Sequence, residues 1–324
     1  MRADRWTRIA LVALLALVFA AGCGDDDSGD ATAPTTAATT TTTVPPLVAC
    51  GASATFPYAA YDGVDPNLNS LDVYMPPADE HGCADRALVV WVHGGGWHEG
   101  DKTDHIADKA RLFNDAGYVF VSVNYRLTDT SLNPPTPQYP VHDQDTADAL
   151  AWIVDHAGQL GVDPQRVAMF GHSAGGGIVA AITTDDRYLQ PHGLGIDAVR
   201  CAGSIDGEGY DVVVGATHPD PFVRDAYYDA FGSDPAVWEI ASPMAHIAPD
   251  KGIPDYFVAA RGPEVRLDLH LEFAEALRAA NVPTTVVDAR DLDHGTVSTD
   301  IGTPGDTVMT PALMTFLTGC FAAP

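Results

Sequence analysis

The stretch Phe170-Gly171-His172-Ser173-Ala174-Gly175-Gly176 places a serine among glycines, directly after the apolar segment Val167-Ala168-Met169. An apolar run followed by small residues predicts a strand that turns sharply into a helix. A serine at the tip of such a turn adopts a strained backbone conformation, and glycines two residues before and after it let the turn pack. The pattern predicts a nucleophile elbow with Ser173 at its tip. Because a free hydroxyl is a weak nucleophile, the elbow requires a base, an orienting acid and an oxyanion site elsewhere.

Apolar runs alternate with helical patterns along the chain, which is typical of βαβ units and a parallel sheet. Further strands are predicted at 71–75, 88–92, 118–123, 199–205, 256–260 and 284–287. Helices are predicted at 104–116, 142–156, 267–280 and 309–317. The segment 207–250 is rich in proline, aspartate and aromatic residues, and we expect it to form an irregular lid that shapes a pocket. The sequence predicts one α/β domain over residues 47–324.

A second glycine motif, His93-Gly94-Gly95-Gly96-Trp97, follows the predicted buried strand at 88–92. Consecutive glycines let backbone N–H groups turn toward one point, which is how an oxyanion hole is built. The predicted donors are the N–H groups of Gly95, Gly96 and Ala174, the residue after the serine. A phosphate-binding loop is disfavoured because the lysine and hydroxyl of a P-loop are missing. A plain tight turn is the remaining alternative.

These two motifs, with Tyr125-Arg126-Leu127 and Tyr139-Pro140 between them, resemble the α/β-hydrolase superfamily. The motif from His93 to Trp97, followed by Gly100-Asp101-Lys102, resembles a narrower group, the carboxylesterase branch. This branch includes hormone-sensitive-lipase-like enzymes, feruloyl-esterase-like enzymes and kynurenine formamidases. The resemblance covers roughly residues 70–317. It implies a mostly parallel eight-stranded sheet with helices on both faces, and a Ser/His/acid hydrolase whose serine, acid and histidine follow in that order along the chain.

The superfamily order asks for a histidine after the last strand, and His294 lies there within Asp293-His294-Gly295. We predict that His294 is the base. His246 lies in the lid segment and His270 in a predicted helix, and both are expected at the surface or behind the site. His93 and His172 flank the glycine motifs and are expected to pack or hydrogen-bond near the site.

The acid departs from the family pattern. Relatives place an aspartate three residues after a glycine that ends the strand at 256–260, and Val265 occupies that position here. Asp206 is the favoured alternative, because it ends the strand at 199–205 and catalytic groups gather at the carboxyl ends of strands in open α/β sheets. An acid after that earlier strand is a known variation in the superfamily. Glu264 is the second candidate and Asp268 the third.

Five cysteines are present. Cys23 stands apart, and four cysteines in an exported chain predict two disulfides with three possible connectivities. In the expected fold, all four of these cysteines lie at the N-terminal edge of the sheet. We favour the pairs Cys50–Cys83 and Cys201–Cys320, with free buried thiols as the alternative.

The N-terminus predicts export. Three arginines precede the short apolar run at 9–19, and small residues lead into Cys23, which resembles a bacterial lipobox. We expect a signal peptide over 1–22, acylation of Cys23, and a disordered Thr/Pro-rich linker over 23–46. The protein would then lie on the outer face of the cell membrane, held only by its lipid anchor. Cleavage and secretion without a lipid are the alternative.

The net charge of the chain disfavours two classes of binding partner. The chain holds 17 Lys and Arg against 44 Asp and Glu, a net charge of −27, which repels nucleic acid and acidic lipid surfaces. No Cys or His grouping has metal-ligand spacing, and no metal or cofactor is expected. The acidic residues Asp143, Asp145 and Asp148 are expected at a helix start, with one pairing to Arg126.

The expected function is hydrolysis of small carboxylic esters through an acyl-enzyme. Amide, formamide or peptide hydrolysis on the same triad is an alternative, because the same residues serve all acyl transfers. A catalytically silent binding lipoprotein that retains the fold is another.

Overall fold

The computed structural model describes residues 45–80 and 82–322. Within them, eight strands form one sheet: Ser53–Pro57 (β1), Ser70–Tyr74 (β2), Arg86–Val92 (β3), Val119–Val123 (β4), Val162–His172 (β5), Cys201–Ile205 (β6), Asp255–Ala260 (β7) and Thr284–Asp288 (β8). Nine α-helices accompany them in the same residues: Ala107–Asp115 (α1), Val141–Asp155 (α2), Ala174–Thr184 (α3), Val212–Ala216 (α4), Pro221–Phe231 (α5), Pro235–Ala241 (α6), Glu264–Ala279 (α7), Thr296–Thr299 (α8) and Met309–Ala322 (α9).

The strand order across the sheet is β1-β2-β4-β3-β5-β6-β7-β8. β1 and β2 run antiparallel to their neighbours, and β3 to β8 are parallel. The six parallel strands therefore end at the same edge, where loops to the following helices begin. This edge is where an open α/β sheet presents its functional side chains.

Alternate residues of the central strands face opposite sides of the sheet, as the period of two demands. Leu88 and Val90 of β3 pack with α2, α3 and α7 in one apolar cluster. Val89 and Trp91 pack with α1, α8 and α9 in a second cluster on the other face. Because both faces are covered, these strands are continuous apolar runs, and the fold is an α/β-hydrolase fold with helices on both faces.

The predicted strands and long helices are confirmed, with ends that differ by up to five residues. The segment 207–250 differs from the expectation, since it contains α4, α5 and α6. Each of these helices begins after an aspartate whose side chain accepts a hydrogen bond from a backbone N–H of the first turn: Asp211, Asp220 and Asp234. In the last two a proline follows at the first helical position, a combination typical of helix starts.

Covalent and ionic links support the same frame. The disulfides Cys50–Cys83 and Cys201–Cys320 are present as predicted. Arg126 binds Asp145 through two nitrogens at 2.6 to 3.1 Å, which confirms the predicted pairing of that helix. The proposed signal peptide, the lipidation site at Cys23 and nearly all of the proposed linker lie outside the described residues. Among the helices of residues 45–80 and 82–322, none is both long and apolar enough to cross a membrane.

Candidate active site

Ser173 lies alone between β5 and α3, with φ 54° and ψ −124°. A non-glycine residue with positive φ is uncommon, and a sharp strand-to-helix turn produces it here. A Cβ atom on Gly171 would lie 2.1 Å from the carbonyl oxygen of Gly175, and one on Gly175 would lie 2.4 Å from that of His93. Both positions therefore require glycine. The Ser173 N–H donates to the Ile205 carbonyl at 3.1 Å, which fixes the turn to β6.

His294 lies in the loop between β8 and α8, and its ring bridges two other side chains. Its Nε2 is 3.0 Å from Ser173 Oγ, and its Nδ1 is 2.5 Å from Asp206 Oδ2. The loop is fixed by Asp293, whose carboxylate accepts hydrogen bonds from the backbone N–H groups of Gly295 and Thr296 at 2.8 and 2.7 Å. Residues far apart in sequence are thus joined in one relay of hydrogen bonds.

His172 supports the same loop. Its Nε2 lies 2.8 Å from the carbonyl oxygen of His294, and the two rings are 4.7 Å apart. Burial, together with the neighbouring His294 ring, lowers the pKa of His172 to about 3. The ring is therefore neutral near pH 7, and its Nε2–H donates to that carbonyl, since a carbonyl oxygen only accepts. The expectation that His172 hydrogen-bonds near the site is confirmed.

Asp206 follows β6 directly and is fully buried. Its N–H donates to the Ala259 carbonyl at 3.2 Å, so the residue is anchored to β7. Burial alone would raise the pKa of the Asp206 carboxyl, but the hydrogen bond with His294 and the charge of Arg266 outweigh burial and hold that pKa below its ordinary value. The carboxylate is therefore ionised at neutral pH and able to orient an imidazole.

The other candidate acids lie elsewhere. Glu264 and Asp268 are exposed on α7, and neither makes a hydrogen bond to His294 within the described part of the chain. Val265, at the position that relatives give to an aspartate, is 67% exposed. Because α7 already begins at Glu264, the loop after β7 is short, and it leaves the contact with His294 to Asp206.

The glycine loop follows β3 and lines the same cleft as Ser173. Gly95 and Gly96 have φ values of 116° and 57°. The N–H groups of Gly95, Gly96 and Ala174 donate no hydrogen bond to any residue in 45–80 or 82–322. The Gly95 carbonyl accepts from the N–H groups of His98 and Glu99 at 3.1 and 3.0 Å, which fixes the loop. Three backbone donors beside the serine hydroxyl are thus left available to a ligand.

His93, at the start of this loop, is buried and stacks on Tyr125 at a ring distance of 4.5 Å. The Tyr125 hydroxyl donates to the His93 carbonyl at 3.2 Å, while Nδ1 of His93 is 2.7 Å from the Gly94 carbonyl. Burial lowers the pKa of His93, and its ring is neutral at neutral pH. His93 therefore packs behind the glycine loop, as expected.

The cleft around Ser173 has a volume of about 960 Å³. Trp97, Phe222 and Tyr227 contribute aromatic walls, and the last two come from α5 in the segment that we expected to act as a lid. A second cavity of about 650 Å³ lies between β8 and α9, and none of the predicted catalytic or oxyanion-hole residues lines it. The chemistry of the predicted residues is therefore confined to the cleft at the carboxyl edge of the sheet.

One group of side chains in the described residues is compact enough to hold a metal ion, namely His172, Asp206 and His294. Their polar atoms already serve other contacts. Nη1 of Arg261 lies 2.9 Å from Asp206 Oδ2, and Nε of Arg266 lies 2.5 Å from Oδ1. Two guanidinium groups against the same carboxylate oppose a further cation, so the arrangement suits proton transfer better than metal binding.

Sequence reasoning missed Arg261, Arg266 and Glu208. Arg266 binds both Asp206 and Glu208, and it lines the cleft with Glu208. His270, one helical turn after Arg266, was expected at the surface or behind the site, and it lies buried behind the site with its Nε2 3.4 Å from Asp206 Oδ1. The spacing of Arg266 and His270 places both on one face of α7, and that spacing is the signal that the sequence offered.

Comparison with known proteins identifies related chains. The BD-FAE family model matches residues 71–193. Esterase LipI of Mycobacterium tuberculosis is 29% identical over 69% of this chain and 70% of its own length. Ethyl acetate hydrolase of Pseudomonas putida is 36% identical, but the match spans 34% of this chain and 32% of that protein.

Solved structures show the same fold. A truncated carbohydrate esterase from gut microbiota superposes with a TM-score of 0.66 at 18% identity, over 86% of this chain and 99% of that one. An esterase of Pyrobaculum calidifontis superposes with a TM-score of 0.62 at 24% identity, over 78% of this chain and 81% of that one. The chain is thus similar to esterases in sequence and to solved esterases in fold, and these relatives support a carboxylesterase-like α/β hydrolase.

Proposed function

We propose that this protein cleaves small carboxylic esters through an acyl-enzyme, with Ser173 as nucleophile, His294 as base and Asp206 as orienting acid. The observation that carries the proposal is the relay from Ser173 Oγ to His294 Nε2 at 3.0 Å and from His294 Nδ1 to Asp206 Oδ2 at 2.5 Å. The esterases among its relatives support the same reaction.

In the first step His294 Nε2 takes the proton of the Ser173 hydroxyl as its oxygen attacks the ester carbonyl carbon. The carbonyl oxygen becomes an oxyanion, which the N–H groups of Gly95, Gly96 and Ala174 stabilise. The imidazolium then gives its proton to the leaving alcohol, and an acyl-Ser173 ester remains. Asp206 holds the ring with Nδ1–H toward itself and stabilises the positive charge that forms.

In the second step water attacks the acyl carbonyl while His294 takes its proton. The second oxyanion occupies the same backbone donors, and its collapse returns the proton to Ser173 Oγ and releases the acid. Together the two steps convert one ester and one water molecule into an alcohol and an acid, and Ser173 and His294 return to their starting states.

The test is hydrolysis of p-nitrophenyl acetate by wild type and by Ser173→Ala. We expect turnover to fall by about a thousandfold or more in the variant, with unchanged circular dichroism. Ser53→Ala, at the exposed start of the edge strand β1 and away from the cleft lining, is the matched control and should keep wild-type activity. Wild-type turnover by Ser173→Ala would contradict the proposal.

A substrate panel separates the reaction classes that share this site. Short esters, long esters, N-formyl amines and peptides are compared by kcat/KM, and the ester proposal predicts the highest values for short esters. A fluorophosphonate probe should label Ser173. Absence of both labelling and turnover would favour a silent binding protein.

We further propose that the protein is exported and held to the outer face of the cell membrane by a lipid on Cys23. The lipobox-like sequence supports this, and so do the two disulfides, which form and persist in oxidising compartments. The test is metabolic labelling with an alkyne palmitate analogue. Wild type should be labelled and sediment with membranes, and Cys23→Ala should be unlabelled. Equal labelling of both would contradict the anchor.

A further inference from the structure

The Asp206 carboxylate uses one oxygen for His294 and presents the other to α7. Arg266 Nε lies 2.5 Å from Oδ1, and Arg266 Nη2 donates to the Asp206 main-chain carbonyl at 2.8 Å. One guanidinium therefore holds both the side chain and the backbone of the residue. Such a two-point grip fixes the carboxylate plane, which a single flexible ammonium does not achieve.

Arg266 is also close to the proposed base and to a second acid. Its Nη2 lies 3.4 Å from His294 Nδ1, and its Nη1 binds the Glu208 carboxylate. Glu208 is held in turn by the Tyr227 hydroxyl, which donates to it at 3.2 Å. The Glu208 N–H donates to the Ser173 carbonyl at 3.0 Å, so the acid is attached to the nucleophile turn itself.

Several other charged or titratable groups lie against the Asp206 and His294 pair or against its immediate neighbours. They are His172 at the end of β5, with Lys109 of α1 behind it, Tyr210 after β6, Arg261 after β7, His270 on α7 and Asp293 in the loop of His294. Positive groups outnumber negative ones around the buried carboxylate of Asp206. A guanidinium paired only with that carboxylate would cancel much of the charge that an imidazolium needs.

We propose that Arg266 is a positioning residue that orients the Asp206 carboxylate toward His294, and that Glu208 is the counter-charge that keeps Arg266 from weakening Asp206. The inference rests on the proposed triad. It assigns separate effects to the two residues. Arg266 fixes the orientation of the Asp206 carboxylate but cancels part of its negative charge, and the negative charge of Glu208 offsets that loss.

The experiment compares Arg266→Gln, Arg266→Lys and Glu208→Gln with wild type on p-nitrophenyl acetate across pH. Arg266→Gln should lower kcat about 10- to 100-fold, more than it changes KM, because the carboxylate loses its orientation. It also removes a positive charge beside the imidazole. The acid limb, the low-pH side of the kcat/KM profile on which activity falls, should therefore move about 0.5 to 1 pH unit higher. Glu208→Gln should move that limb lower, since the charge of Arg266 is then uncompensated.

Arg266→Lys separates charge from geometry. It should keep the acid limb near that of wild type but recover only part of kcat, because an ammonium cannot make both contacts. Arg290→Gln is the matched control, since Arg290 forms an exposed ion pair with Asp288 away from the cleft lining. It should leave kcat and the acid limb unchanged. Thermal melts confirm that each variant is folded.

Wild-type kcat and pH profile in Arg266→Gln would overturn the inference, as would full recovery of kcat in Arg266→Lys or limb shifts of the same sign in Arg266→Gln and Glu208→Gln. The proposed function is judged separately by the loss of turnover in Ser173→Ala. Should wild type prove inactive on esters, the proton NMR signal of His294 Nδ1–H, which reports its hydrogen bond with Asp206, gives the second readout. The signal should move or broaden in Arg266→Gln and stay in place in Arg290→Gln, and an unchanged signal in Arg266→Gln would overturn the inference.

Discussion

His172 Nε2 donates to the main-chain carbonyl of His294 across 2.8 Å, so the residue just before the nucleophile holds the loop that carries the proposed base. We predict that His172→Ala lowers kcat about tenfold or more, because His294 loses its main-chain support. His172→Gln should lose less, since its side-chain amide can still donate. Steady-state kcat and KM on a p-nitrophenyl ester check this, and equal activity of the two variants would contradict it.

The second prediction concerns the acid. Asp206→Asn should lower kcat about a thousandfold or more, because an amide presents a donor where the imidazole needs an acceptor. Glu264→Gln is the matched control, since Glu264 is exposed at the start of α7 and was the second candidate for the acid. It should retain wild-type kcat. The reverse result would return the acid to the loop after β7.

The third prediction is that the folded protein loses stability in mild acid. Burial lowers the pKa values of His142 and His172 to about 3 and that of His270 to about 4, against an ordinary value of 6.5. The unfolded chain therefore binds more protons than the native one below pH 6.5. The free energy of unfolding should fall as pH drops toward 5, by about 1.4 kcal/mol per pH unit for each ring.

Urea unfolding at several pH values between 6.5 and 5 measures this slope. His142→Gln should flatten the slope by about one proton. Identical slopes for wild type and His142→Gln would show that the buried rings do not set the acid response.

The fourth prediction has the opposite sign. Burial raises the pKa of Asp143 from 3.8 to about 7, and its carboxyl accepts a hydrogen bond from Tyr188 at 3.1 Å. Between pH 3.8 and 7 the Asp143 carboxyl stays protonated in the folded protein but ionises in the unfolded chain. The free energy of unfolding therefore falls as pH rises through this range. Asp143→Asn keeps an acceptor and never ionises. It should raise the free energy of unfolding at pH 8 by about 1 to 2 kcal/mol.

Chemical denaturation at pH 4 and pH 8 tests the fourth prediction. The gain from Asp143→Asn should be small at pH 4 and larger at pH 8. A variant that is less stable than wild type at pH 8 would contradict it.

The fifth prediction compares the two disulfides. The Cys201–Cys320 bond closes a separation of 119 residues and Cys50–Cys83 one of 33. A disulfide that closes a longer loop removes more conformational freedom from the unfolded chain, so replacing the first pair by alanine should cost about 5 kcal/mol and the second about 4. Urea unfolding of both double variants under oxidising conditions measures the difference. A larger loss for the shorter loop would argue for a native-state cause.

The sequence located the central strands because buried parallel strands are continuous apolar runs, as at Leu88 to Val92. Ser173 followed from a local pattern, and His294 from its place after the last strand in the superfamily order. Asp206 was favoured because it ends a strand, but Glu264 and Asp268 stayed open, because the contact between an acid and His294 joins distant segments of the chain. Arg261 and Arg266 converge on Asp206 from the end of β7 and from α7, and no local pattern of sequence records that convergence.

The helices within 207–250 were missed for a different reason. Their aromatic and acidic residues gave no clear apolar period, although Asp220-Pro221 and Asp234-Pro235 are helix starts that the sequence displays. Packing decides their helical state, as Tyr227 and Trp238 are buried. In a polar segment, an Asp-Pro pair therefore indicates a helix start as well as an apolar period does.

Ser173 and Asp206 follow neighbouring strands, and the Ser173 N–H is bonded to the residue just before Asp206. The ladder of the sheet, rather than a loop, sets the separation of these two residues. His294 alone of the three stands on a loop, and heating should free the loop before the sheet melts. Activity should then disappear reversibly at temperatures where the strands are still intact.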